Sequence, residues 1–229
     1  MMFNMTDAHP ILFLSGAGLS PWIWDEVRAE VGSDTAVAPR PPQHSNARLA
    51  DYVESAVGAA PAGRFALVAH SSGGVIGAEI ARLLPERVTA FLGISAVIPA
   101  AGGSFVSAMP APKRWVLAAA MRLAGTRPPA NAIRQGLGTG LSDDIVERVV
   151  REFTPESVGL YKDEVGEHRW SGRRGFVLTT EDKELPLASQ RHFAQRLGAQ
   201  WSQEMATGHL PMLQNSTATA AAIHGFLTA

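Results

Sequence analysis

A serine, an aspartate and a histidine stand in this chain where nucleophilic catalysis would need them. The serine lies in Leu67-Val68-Ala69-His70-Ser71-Ser72-Gly73-Gly74. An apolar run from Phe65 to Ala69 stops there, small residues follow, and an amphipathic stretch opens at Val75. The pattern predicts a strand, a sharp turn and a helix with a serine at the apex. Such a turn strains the apical residue and pushes its hydroxyl out above the sheet edge. With Ser71 at the apex the flanking positions are Ala69 and Gly73, both small. With Ser72 they would be His70 and Gly74, and an imidazole does not fit the close crossing of strand and helix. Ser71 is the candidate. By itself the stretch also reads as a buried Ser-Gly turn, because a motif match is only a hypothesis.

A serine hydroxyl is a poor nucleophile near neutral pH. It needs a base to take its proton, and the base needs a partner to fix its tautomer. Asp182 follows the apolar run Gly175 to Thr180, and His209 lies in the loop after a run from Gln200 to Met205. Both fall at predicted C-terminal strand ends, as Ser71 does. Each has a plainer reading: Asp182 as a solvated turn or helix cap before Pro186, His209 as a loop histidine between Gly208 and Leu210. Glu181 and Glu184 compete with Asp182 for the acid. His70 is expected to pack behind the turn. His9, His44, His168, His192 and His224 do not share the required position. A developing oxyanion needs preorganised N–H donors. Ser72 would supply one, and Ala17, in the Gly16-Ala17-Gly18 turn, the other. That turn lacks the G-x-G-x-x-G or G-K-[ST] continuation of a phosphate loop.

The elements that would position these groups alternate. Strands are expected at 11–14, 35–38, 65–69, 88–98, 175–180 and 200–205. Helices are expected from Pro21 through about Val31 and over 46–57, 75–84, 187–197 and 217–227. The fold class is α/β: a mostly parallel sheet of about six strands flanked by helices, with its ligand edge at the strands' C-terminal ends. The alternation breaks from Pro99 to about Gly172, where breakers such as Arg127-Pro128-Pro129 separate the helical segments 113–124 and 142–153. The expectation is one domain over 1–229, with a core of 10–98 and 173–229 and a helical lid of about 99–172. Phe105, Met109, Trp115 and Met121 are the candidate pocket residues, set against the plainer reading that they pack the lid on the sheet.

The chain has 229 residues, 46% hydrophobic and 18% charged, enough apolar material for a sizeable core. Its net charge of -1 and scattered arginines argue against a nucleic-acid partner. The absence of cysteine removes disulfides and thiol chemistry. No metal ligand spacing and no cofactor motif stand out, so none of either is expected. No stretch has the length of a membrane span and the start lacks a basic leader, so a cytoplasmic location is expected. Monomer and homodimer both stay open.

Together the motifs resemble the α/β-hydrolase superfamily, more narrowly its small esterase and hydroxynitrile-lyase branch, which includes plant methyl-ester hydrolases. That branch opens with a strand, an H-G-A turn and W-x-W; here stand Ser15-Gly16-Ala17 and Trp22-Ile23-Trp24. Its G-H-S-x-G-G is matched by Ala69-His70-Ser71-Ser72-Gly73-Gly74, its T-x-D-x-x-x-P by Thr180 to Pro186, and its G-H-x-P-M by Gly208 to Met212. Ser15 in place of histidine and Ala69 in place of glycine depart from the pattern. So does Leu210, where the lyases often carry lysine after the histidine. The resemblance implies the triad order Ser71, Asp182, His209 and a serine hydrolase acting on a small or medium apolar ester through an acyl-enzyme. It also implies a largely parallel sheet; with about ten residues before the first strand, the family's usual leading β-hairpin is expected to be missing. A lyase or cyclase using the same triad, or a ligand-binding protein on this fold, are the competing expectations.

Overall fold

The computed structural model describes residues 10–32, 34–41, 46–167 and 169–229. His9, His44, His168 and the expectation about a leading hairpin lie outside them. The first half alternates: β1 (Ile11–Leu14), a 3-10 turn (Pro21–Trp24), α1 (Asp25–Val31), β2 (Thr35–Val37), α2 (Leu49–Ala59), β3 (Phe65–His70), α3 (Gly73–Leu83) and β4 (Val88–Ile94). Five helices follow: α4 (Phe105–Ala108), α5 (Lys113–Ala124), α6 (Ala130–Gly136), α7 (Asp143–Glu152) and α8 (Val158–Lys162). Alternation returns with β5 (Arg173–Thr179), α9 (Leu187–Leu197), β6 (Trp201–Met205), α10 (Pro211–Gln214) and α11 (Ser216–Thr228).

The six strands form one sheet in the order β2-β1-β3-β4-β5-β6, and every described pair is parallel. Strand side chains alternate between faces, so a strand covered on both sides must be apolar throughout. Leu12, Leu14, Leu67, Phe91 and Phe176 face one layer, where α2, α3 and α9 bring Val53, Ile80 and Phe193. Ile11, Phe13, Val68, Leu92 and Val177 face the other, where α1 and α11 bring Val27, Ile223 and Phe226. Each fully buried side chain of this size contributes roughly 1.5–3 kcal/mol. Gly32 (φ 64°) after α1 and Gly198 (φ 72°) after α9 adopt the left-handed stop that glycine allows.

Several boundaries shift by one to three residues, α2 among them, which runs Leu49–Ala59 where 46–57 was expected. The strand expected over 88–98 ends at Ile94, because Ser95 takes φ +43° and turns the chain out of the sheet. The helix behind the serine starts at Gly73, two residues early.

The strand order sets the ligand edge. From β1 the chain moves outward to β2, then returns across β1 to β3 on its other side. The crevice beyond the C-terminal ends of β1 and β3 is the switch point at which such sheets bind ligands.

Candidate active site

Ser71 sits directly after β3 with φ +52°, in the left-handed region. A side chain there costs on the order of 1–3 kcal/mol and persists only if the surroundings hold it. They do: its carbonyl accepts from the amides of Gly74 (3.0 Å) and Val97 (2.9 Å). The glycines of the elbow are steric necessities. A Cβ on Gly73 would lie 2.6 Å from the Leu14 carbonyl oxygen, and one on Gly16 would lie 2.9 Å from the Ser71 Cβ. The end of β1 and the elbow thus meet in direct backbone contact.

Asp182 follows β5 and is buried. Its Oδ1 accepts from the amides of Glu184 and Leu185, both at 2.8 Å. Its Oδ2 accepts from His209 Nδ1 at 2.7 Å and from the Thr179 hydroxyl at 3.1 Å. Burial alone would raise the carboxyl pKa. The His209 ring beside it, with these hydrogen bonds, outweighs that and holds it below the ordinary value. Since a carboxylate only accepts, His209 carries its proton on Nδ1, leaving Nε2 as a base. Glu181 is exposed, and Glu184 meets Asp182 only through its main chain.

The residues around these groups are a second layer that sequence patterns do not announce. Gln190 of α9, fully buried, donates to the carbonyls of Thr179 (2.9 Å) and Leu185 (2.7 Å) and so shapes the aspartate loop. His70 does more than pack behind the elbow. It faces the His209 main-chain oxygen through Nε2 at 2.8 Å and must be the donor. Burial and the His209 ring push its pKa down to about 3, so it is neutral. Ser15, at the position of the family histidine, accepts from the Trp24 indole at 3.1 Å.

The turn after β1 is closed by Leu19 N–H to Gly16 O at 3.1 Å, with Gly18 at φ +79°. That is the geometry of a type II turn. The amides of Ala17 and Ser72 donate to no protein acceptor among the described residues. Both are candidate donors to a ligand.

Ser71, His209 and Ala17 border one cavity of about 360 Å³. Phe105, Met109 and Met121 line it, joined by Leu117, Phe153, Tyr161 and Leu185, which sequence reasoning did not single out. Burial pushes the Tyr161 phenol up, so it remains a neutral hydroxyl in the wall. Trp115 does not line the cavity. Along α5 the lining positions are 113, 117, 120, 121 and 124, and Trp115 falls on the opposite face. It is 61% exposed and stacks under Arg114 at 5.2 Å. Among the described residues no three His, Cys, Asp or Glu side chains come together to hold a metal, and no helix is long and apolar enough to cross a membrane.

The model of a family described as the alpha/beta hydrolase family matches residues 11–222. No curated protein matches the chain. Similar solved structures include an extracellular alpha/beta-hydrolase from a Paenibacillus species, described as sharing structural and functional homology with tobacco salicylic acid binding protein 2. It has a TM-score of 0.82 and 16% identity, and the match covers 95% of this chain and 98% of that one. Polyneuridine aldehyde esterase matches with a TM-score of 0.77 and 18% identity over 96% and 99% of the two chains. Tomato methylketone synthase I, complexed with 2-tridecanone, matches with a TM-score of 0.77 and 13% identity over 96% and 98%. At these identities the likeness is one of fold.

Proposed function

Because this chain belongs to the alpha/beta hydrolase family, we propose that it is a carboxylic ester hydrolase working through Ser71, His209 and Asp182. One observation carries the reading: the 2.7 Å bond from His209 Nδ1 to the buried Asp182, with His209 lining a cavity that the strained Ser71 also borders. His209 Nε2 takes the hydroxyl proton as Ser71 Oγ attacks the ester carbon. The carbonyl oxygen becomes an oxyanion, met by the amides of Ala17 and Ser72. Collapse breaks the bond to the alcohol oxygen, which leaves with the proton from His209. Water, deprotonated by the same nitrogen, then attacks the acyl-enzyme; the Ser71 Oγ–acyl bond breaks, His209 returns the proton to Oγ, and the acid leaves. Asp182 holds the tautomer and stabilises the imidazolium throughout.

The substrate is an ester of a small or medium apolar compound. The side chains of Phe105, Met109, Leu117 and Met121 support this, because they offer contact surface without hydrogen bonds. A relative of the same fold that binds the apolar ketone 2-tridecanone is in keeping with it. The segment 99–172 acts as a lid on the core of 10–98 and 173–229, and its helices form the outer wall of the cavity. The reading is tested by intact mass after a fluorophosphonate probe, on wild type and Ser71→Ala, with turnover of p-nitrophenyl esters of increasing chain length. Labelling at Ser71 with turnover is the expected result. A folded wild type that takes no label overturns the activated serine, and labelling without turnover of any ester overturns the hydrolase.

A further inference from the structure

We propose that Glu156 is a positioning residue that fixes the turn carrying the Ala17 amide, an inference that rests on the esterase reading above. Glu156 is buried and takes no part in the proton transfers. Its Oε1 accepts from the Gly18 amide at 3.1 Å and from Arg40 Nε at 2.9 Å, and its Oε2 from the Tyr52 hydroxyl at 3.0 Å. Two residues before it, the Thr154 amide donates to the Gly18 carbonyl at 3.1 Å. The Phe153 ring lies where a Gly18 Cβ would be, 2.1 Å from the position. Both polar groups of Gly18 are thus held by a segment about 138 residues away.

This matters because a type II turn has a rival. Rotating the Ala17–Gly18 peptide by half a turn gives the type I geometry, with Gly18 at negative φ. That rotation would replace the Gly18 N–H facing Glu156 with the Ala17 carbonyl oxygen, setting a partial negative charge against a carboxylate. Glu156 selects one of the two peptide orientations. The Ala17 amide belongs to the preceding peptide, so Glu156 acts on it through the turn: with both polar groups of Gly18 held, the Ala17 N–H is fixed in place in advance of the reaction, as oxyanion stabilisation requires. Arg40 and Tyr52 hold the carboxylate in turn, so the device is anchored on the core side by α2 and the chain after β2.

The test compares Glu156→Gln and Glu156→Leu by steady-state kinetics and by hydrogen exchange of residues 15–19. Glutamine retains an acceptor for the Gly18 amide, so kcat stays within about threefold of wild type. Leucine removes it: kcat falls by about tenfold to a hundredfold with KM within about twofold, and exchange in 15–19 quickens while the elbow at 71–76 is unchanged. Should the leucine variant fail to fold with Arg40 unpaired, Arg40→Leu/Glu156→Leu gives the same comparison. Unchanged exchange in 15–19, or a loss of kcat equal in the glutamine and leucine variants, overturns the proposal. If wild type turns over no ester, the esterase reading falls, and exchange alone decides what Glu156 holds.

Discussion

His70 donates from Nε2 to the main-chain oxygen of His209 at 2.8 Å, so the residue before the elbow serine holds the backbone of the histidine loop. The two rings lie 4.6 Å apart, centre to centre, and the His70 ring is fully buried. A proton on His70 would sit unsolvated at Nδ1, which has no partner.

That arrangement makes stability depend on pH. The folded-state pKa of about 3 lies below the unfolded value of about 6.5. Between the two, the unfolded chain binds the extra proton, so stability falls as pH falls. The slope approaches about 1.4 kcal/mol per pH unit, or about 2 kcal/mol from pH 6.5 to 5. Glutamine at position 70 can still donate to the His209 carbonyl but does not titrate. Urea unfolding at pH 7 and pH 5 should show His70→Gln closing on wild type, or passing it, at the lower pH. A stability difference that does not move with pH would count against a neutral, buried His70.

Asp182→Asn should separate geometry from electronics. The Glu184 and Leu185 amides can still bond the side-chain oxygen, so the loop keeps its shape. The amide then faces Nδ1 of His209 and favours the wrong tautomer. Ester kcat should fall by about 10³–10⁴, with folding at pH 7 retained. The depressed carboxyl pKa of wild type stabilises the fold above about pH 4 and ceases to as pH falls below it. The variant should lack that acid limb. Stability curves from pH 5 to 2.5 would read it.

At Gly18 two penalties can be told apart. Alanine there must adopt φ +79°, at about 1–2 kcal/mol, and must displace the Phe153 ring, at about 1–3 kcal/mol more. In a Phe153→Ala background only the first should remain. A double-mutant cycle on unfolding free energy measures the coupling. A cycle that sums without coupling would show that the ring does not limit the turn.

The cavity wall can be tested by phase along α5. Leu117→Phe fills space in the cavity and should shift kcat/KM toward shorter p-nitrophenyl esters, by about tenfold for the longest accepted. Trp115→Ala, on the opposite face, should leave the chain-length profile within about twofold. A profile altered by the Trp115 change would place substrate outside the cavity described.

Why Trp115 misled is instructive. An aromatic in an apolar helix attracts attention by type, but the face is a matter of phase, and positions 115 and 117 lie about 160° apart. Pattern was reliable where local chemistry decides the structure. Small residues around Ser71 announced the elbow, and the loops holding Asp182 and His209 followed recognisable strands. The apolar run that resumes at Ala96-Val97-Ile98 after the single Ser95 concealed the end of β4, because hydrophobicity carries no record of the positive φ at Ser95. Gln190, Tyr161 and Glu156 were not legible at all. Glu156 acts on a turn 138 residues away, and Gln190 and Tyr161 take their places through the folding of separate elements, which nothing in their own neighbourhood in the chain marks.

Residues 153–157 lie by sequence in the stretch between β4 and β5, yet by contact they belong to the turn after β1. Anyone transplanting the helical stretch from another member of the family to change substrate range would exchange the prop beneath Gly18 along with the wall of the cavity. The seam for such a chimera lies at the end of α7, before Phe153, so that Thr154 and Glu156 stay with the glycine they were matched to.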